Sequence, residues 1–242
     1  MIASAIDRLA LFFGSEQTRQ GVLARAALGK PGAQDARLVR SLVSTLGAED
    51  RGDGSIGGAA VPTIWRAHEL IDLGERPDGG VTARILGWVV GTQGRPGAFG
   101  EGCDRERHAQ RVCEHYLGGF FAPAPPEQRL APITMPNGKV FRAEPAARFA
   151  ISCLALRAVL RAGLGAQPLV RRHVNGLAGL AELWTGWTGY YAPDLIVAGL
   201  HALAVAGPAH REGVDRVVGV VAAHQAGDGT WPNADLFHIL EA

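Results

Sequence analysis

Two short stretches near the end of the chain place an aspartate where a helix should begin: Ala192-Pro193-Asp194-Leu195 and Asn233-Ala234-Asp235-Leu236. His238 follows Asp235 by three residues, so the two share a helix face and can meet. A carboxylate beside an imidazole is enough for general acid–base chemistry. A plainer role competes at each position. Asp in the first helical turn is stabilised as the anion by the helix dipole and caps free backbone N–H groups. A proton donor to a hydrocarbon needs the opposite, a carboxyl kept protonated by burial or by a like-charged neighbour. Neither Asp194 nor Asp235 has an adjacent acid in sequence. Asp104 and His108, four apart, form a second candidate acid–base pair, with a solvated surface pair as its alternative.

Cys103, His108, Cys113 and His115 are all zinc-type ligands. On a helix they would point near about 0°, 140°, 280° and 120°. Only the two histidines share a face, and they stand about 10 Å apart along the axis, too far for one ion. The chain has no Gly-x-Ser-x-Gly elbow. Gly91-Thr92-Gln93-Gly94 lacks the strand and the Lys of a phosphate-cradling loop.

The formal net charge is +1 over 242 residues, with basic and acidic groups interspersed, so no global field draws in nucleic acid. Three cysteines make a poor disulfide framework and favour a reducing compartment. Charges at Asp7 and Arg8 interrupt any signal-peptide core. The best apolar stretch, Ala147 to Leu160, is broken by Arg148 and Arg157, so no spanning helix is expected. Cytoplasmic residence is the expectation.

The elements that must position these residues come in repeats. Gly52-Asp53-Gly54-Ser55-Ile56 returns as Gly227-Asp228-Gly229-Thr230-Trp231. Weaker copies end on Phe99, Phe141 and Tyr190. The anchors Ile56, Phe99, Phe141, Tyr190 and Trp231 are 43, 42, 49 and 41 residues apart, a period that signals stacked supersecondary units. Asp53 and Asp228 read as turn residues. Between anchors, Ser41 to Leu46, Thr63 to Leu73, Val81 to Val90, Phe149 to Leu160, Leu195 to Val205 and Val214 to Ala223 carry apolar residues at helical spacing. Ala3 to Phe13 and Thr18 to Leu28 leave room for another hairpin. Inner helices of a closed ring should be apolar nearly all round, as Leu236, Phe237, Ile239 and Leu240 are. The chain stops at Ala242 with no C-cap, as a truncated helix would. Gly119 to Glu144 carries five prolines and cannot be a helix; it reads as a lid, a binding loop or a surface crossover.

His224-Gln225-Ala226-Gly227-Asp228-Gly229-Thr230-Trp231 resembles the QW repeat of squalene–hopene-type terpene cyclases. In that family Gln and Trp at the two ends of an Asp-Gly turn tie neighbouring helices together. The resemblance extends over about Ala33 to Ala242. It implies an all-α fold, the α/α toroid of about six helical hairpins shared with protein prenyltransferase β subunits, here as one domain spanning residues 1–242. The Asp-rich DxDD motif of the class II cyclases is absent. Asp235-Leu236-Phe237-His238 resembles the stretch in which prenyltransferases place a zinc-binding His. Where that family has Asp-x-Cys, this chain has Asp194 followed by Ile196, which disfavours zinc and leaves no cofactor expected.

The resemblance implies an isoprenoid-processing enzyme with a prenyl or polyprene substrate in a central cavity. Asp194, Asp235 and His238, then Asp104 and His108, are the residues for acid–base work or head-group recognition. Asp104, Glu106, Arg107 and His108 would lie at the mouth if their helix is an inner one. Trp184, Trp187, Tyr190 and Tyr191 would either line the pocket, where π faces stabilise cations, or pack as core. The rival expectation is a non-catalytic toroid, a binding or scaffold subunit that needs a partner.

Overall fold

Helical spacing becomes helix at every stretch named above. The computed structural model describes residues 2–92, 129–182, 184, 186, 187 and 193–241. Among them are ten α-helices: α1 (Ile2–Gly14), α2 (Arg19–Ala27), α3 (Asp35–Gly47), α4 (Ala60–Asp72), α5 (Gly80–Gly91), α6 (Glu144–Arg161), α7 (Pro168–Ala181), α8 (Pro193–Ala204), α9 (Arg211–Ala223) and α10 (Leu236–Leu240). The sequence reading missed α7, whose apolar face is Val170, Val174, Leu177 and Leu180. No helix among the described residues is long and apolar enough to cross a membrane.

The helix ends follow local chemistry. Thr18 caps α2, its Oγ1 accepting the Gly21 N–H at 3.1 Å. α6 carries Glu144 in its first turn and Arg161 in its last, each sign matched to the helix dipole.

α6 and α8 pack against each other at the centre, with α4 on the far side of α6 and α7 and α9 against α8. Every residue of α8 from Pro193 to Leu203 is buried, as an enclosed helix requires. α10 does not follow that pattern. It is one short turn that lays Ile239 into the core and leaves Phe237 77% and Leu240 67% exposed. Trp184 and Trp187 are buried core residues, so for them the packing role holds. The Trp184 ring meets Phe149 edge-on at 6.3 Å. It also lies so close over Gly199 that a Cβ there would sit 2.2 Å from the indole. Tyr190 and Tyr191 lie outside the described residues.

The repeated turn is visible as backbone geometry. Asp53, Asn137 and Asp228 each accept, through Oδ1, the N–H two residues on, from Ser55, Lys139 and Thr230 at 2.8, 3.1 and 2.9 Å. The glycine between them has positive φ each time: 88° at Gly54, 84° at Gly138 and 85° at Gly229. This corrects the register of the third copy by one residue. Asn137 matches Asp53 and Asp228, so Val140, not Phe141, stands where Ile56 and Trp231 stand. The Phe99 copy, and Thr188 to Tyr190 of the next, lie outside the described residues.

The QW turn ties together differently from the resemblance. Gln225 Nε2 donates to Gly229 O at 3.0 Å inside its own turn, and Trp231 Nε1 donates to Val221 O at 2.7 Å. The link between neighbouring units is Trp187, whose indole N–H reaches Pro232 O at 2.9 Å and whose ring stacks on His224.

The described end of the Pro-rich segment, residues 129–143, contains no helix. It forms an antiparallel hairpin, β1 (Ile133–Thr134) and β2 (Val140–Phe141), with Ile133 opposite Phe141. Glu144 anchors its base: the carboxylate accepts the N–H groups of Leu130 and Ala131 at 2.9 and 2.7 Å and pairs with Arg148.

Candidate functional site

A cavity of about 590 Å³ opens among the described helices. α2, α4, α6, α8 and α10 all reach its wall; α1, α3, α5, α7 and α9 do not. Met135, Lys139 and Phe141 close one side from the hairpin. Leu23, Trp65 and Leu154 supply apolar wall. The hollow is not apolar throughout, as the ring of apolar helices had implied. Charged and imidazole side chains share it, and most satisfy one another.

One cluster joins α2, α4 and α6. Asp72 is shared, its Oδ2 accepting from Arg19 at 2.9 Å and its Oδ1 from Arg161 at 2.5 Å. The Arg19 guanidinium lies 5.5 Å from the centre of the Trp65 ring, a cation–π contact. Arg161 also donates to His68 Nδ1 at 3.2 Å, and His68 lies 3.0 Å from Leu154 O through Nε2. A guanidinium only donates and a carbonyl only accepts, which fixes the neutral tautomer with the proton on Nε2. Burial, with Arg157 and Arg161 nearby, pushes the His68 pKa down to about 4 against the pull of the Leu154 carbonyl.

A second cluster joins α8 and α10. The His201 and His238 rings stack at 4.7 Å, and His201 Nε2 donates to His238 O at 2.7 Å. Burial lowers His201 to about 4. His238 is lowered too, first by burial, while Asp194, Glu241 and Asp235 pull the other way. Asp194 is itself buried at the start of α8, its Oδ2 2.5 Å from Lys139 Nζ.

Arg157 stands between the clusters. Its Nε is buried without a hydrogen-bond partner, and no ion pair reaches it among the described residues. Burial and the neighbouring Arg161 lower its pKa, while Glu241 and Asp72 oppose them. Cys153 lines the same wall as a buried thiol, its pKa raised by burial.

Of the sequence-derived candidates, Asp194 and His238 share the cavity wall. Asp235 does not line it. Its Oδ1 accepts the His238 backbone N–H at 3.1 Å and so caps α10, and the His238 ring faces His201 instead. An N-cap carboxylate folds back onto the amide three residues on, which takes it away from the side chain at that position. Asp104 and His108, with Cys103, Cys113 and His115, lie outside the described residues. Among the described residues no three His, Cys, Asp or Glu side chains converge as metal ligands.

Sequence reasoning missed His68, His201, Arg157, Arg161 and Lys139. The signal was present. Arg157 interrupts the most apolar stretch, and His201 sits inside Leu200-His201-Ala202. Charged or titratable groups in the middle of an enclosed helix need something to face. No protein-family model, no curated protein and no solved structure matches the chain.

Proposed function

We propose that the chain closes into an α/α toroid and works as an isoprenoid-processing enzyme, similar to terpene cyclases and prenyltransferases, with a hydrophobic substrate in the central cavity. One observation carries the reading: five of the described helices, α2, α4, α6, α8 and α10, line one cavity together with His238 and Asp194. Within residues 2–92 and again within residues 129–241 the lining helices alternate with helices off the wall, as inner and outer rings of helices would. The Asx-Gly turns at Asp53, Asn137 and Asp228 support the same stacking.

The chemistry follows from the protonation states. His238 and His201 are disposed to be neutral near pH 7, so each is in the form that can accept a proton, as a weaker base than a free imidazole. Asp194, paired with Lys139, orients the site and balances charge. The substrate chain lies along Leu23, Trp65, Phe141 and Leu154, and its polar end reaches Arg157. His238 is the base placed to take a proton from a cation formed on the chain, the C–H electron pair closing a double bond.

Native mass spectrometry and turnover assays with prenyl diphosphates and linear polyprenes test this. Turnover lost in Asp194→Asn and His238→Ala, with ligand still bound, supports the assignment. Full turnover in both variants removes it. A non-catalytic binding subunit is the second reading, favoured by one fact: Asp194 is already committed to Lys139 and has no second acid beside it among the described residues of the wall. Binding without turnover of any member of the panel would select that reading.

A further inference from the structure

We infer that the cavity takes an amphiphile with a singly charged carboxylate head, bound by Arg157. The inference rests on the cavity reading above and adds the head group to it.

The charged groups on the described wall sort into pairs. Asp72 holds both Arg19 and Arg161, Glu69 stands 3.8 Å from Arg19 as a second partner, and Asp194 holds Lys139. Arg157 has no hydrogen bond or ion pair among the described residues, and its Nε is buried. Glu241, exposed at the rim, acts on it only through the field. The described wall therefore carries four cations, Arg19, Lys139, Arg157 and Arg161, against three carboxylates, Asp72, Asp194 and Glu241. The lining itself is one cation in excess, Glu69 draws on Arg19 from off the wall, and the cation with no bonded carboxylate is Arg157.

The histidines do not add to it near pH 7, because burial holds His68 and His201 at about 4. Only Nε of the Arg157 guanidinium is sealed in; its two Nη groups stay reachable without a bonded partner among the described residues, and one planar carboxylate can take both through two parallel bonds. A diphosphate brings several negative charges to a wall with one to spare. The excess would face Asp72 and Asp194 in a low-dielectric hollow. A neutral alcohol can accept one hydrogen bond from Arg157 but brings no charge to balance it.

Tail and head can be separated by experiment. The intact protein is titrated at pH 7.5 with farnesoic acid, farnesol, farnesyl diphosphate and dodecanoic acid, with affinities read by calorimetry. Farnesoic acid binding about tenfold or more tighter than both farnesol and farnesyl diphosphate is the expected result, the ratio one charge-assisted bond supports. Arg157→Gln should abolish that preference by weakening acid binding far more than farnesol binding, and Arg157→Lys should restore part of it. Circular dichroism confirms that the variants fold.

Farnesyl diphosphate or farnesol binding as well as the acid overturns the carboxylate head and leaves the isoprenoid reading standing. Dodecanoic acid binding without any farnesyl ligand overturns the isoprenoid tail and supports the head. Binding of neither acid, or acid binding unchanged in Arg157→Gln, overturns the inference.

Discussion

Lys139 and Asp194 join the tip of the β-hairpin to the first turn of α8, with Nζ and Oδ2 2.5 Å apart. The two ends differ in exposure: the lysine side chain is 43% exposed and the aspartate 8%. Removing the lysine leaves a buried anion, whereas removing the aspartate charge leaves an ammonium that water can take up. Lys139→Ala should therefore cost about 1–3 kcal/mol of stability, and Asp194→Asn less. The double variant should resemble Asp194→Asn alone. Urea unfolding of the four proteins measures the cycle. A Lys139→Ala protein as stable as the parent would mean that the hairpin is held by Glu144 alone.

The repeated turn invites a comparison between its copies. Gly54 and Gly229 have nearly the same φ, 88° and 85°, so alanine is strained at both by about 1 kcal/mol. Their surroundings differ. A Cβ on Gly54 would sit 2.3 Å from the Arg84 carbonyl oxygen, whereas one on Gly229 meets only the end of Gln225 at 4.0 Å. Backbone cannot swing aside as a side chain does. Gly54→Ala should lower stability by at least twice as much as Gly229→Ala, measured as ΔG of unfolding. Equal losses would show that strain dominates and that the approach to α5 is slack.

Glu144 holds the hairpin at its base through two backbone amides and pairs with Arg148, which is fully buried. Burial alone would raise its carboxyl, but the amides of Ala131 and Leu130 and the Arg148 guanidinium together hold it below the usual range. Glu144→Gln removes the charge that these donors share and should cost about 1–3 kcal/mol. Hydrogen exchange should quicken at Leu130 and Ala131 before it does in α6. Unchanged protection there would mean that the loop is fixed by its own turns.

Helix and turn were legible because each rests on local rules. Val214 to Ala223 has its period written in the chain, and Asp228-Gly229 carries the side-chain acceptor and the left-handed glycine that its turn needs. α7 was legible too, with Val170, Val174, Leu177 and Leu180 at helical spacing, and was overlooked among the polar residues Arg171, Arg172 and Asn175 that interrupt it. The site was half legible. Asp194 and His238 stand at helix starts, where sequence points to them. Asp235 was drawn off by capping, a competition that the same four residues encode. His68 and Arg161 meet from positions 93 residues apart, and no local pattern brings such residues together.

Acid should unfold this protein earlier than its carboxylates alone require. His68 faces the Leu154 carbonyl, Arg157 and Arg161 from α6, and Asp72 on its own helix; His201 faces His238 and Arg157. Both have folded pKa values near 4 against 6.5 for the free imidazole. Between those values the unfolded chain binds more protons, so stability rises with pH across that window. On acidification it is lost from about pH 6.5 downward, by at most about 3 kcal/mol per histidine at full protonation. Carboxylates such as Glu144 and Asp50, with lowered pKa values, add their own loss only at lower pH. His68→Gln keeps a donor to the Leu154 carbonyl but does not titrate. Melting temperatures from pH 7 to pH 4.5 should fall less steeply in that variant than in the parent. Parallel curves would show that His68 is protonated as easily in the folded protein as in the unfolded chain, and the buried neutral imidazole would have to be given up.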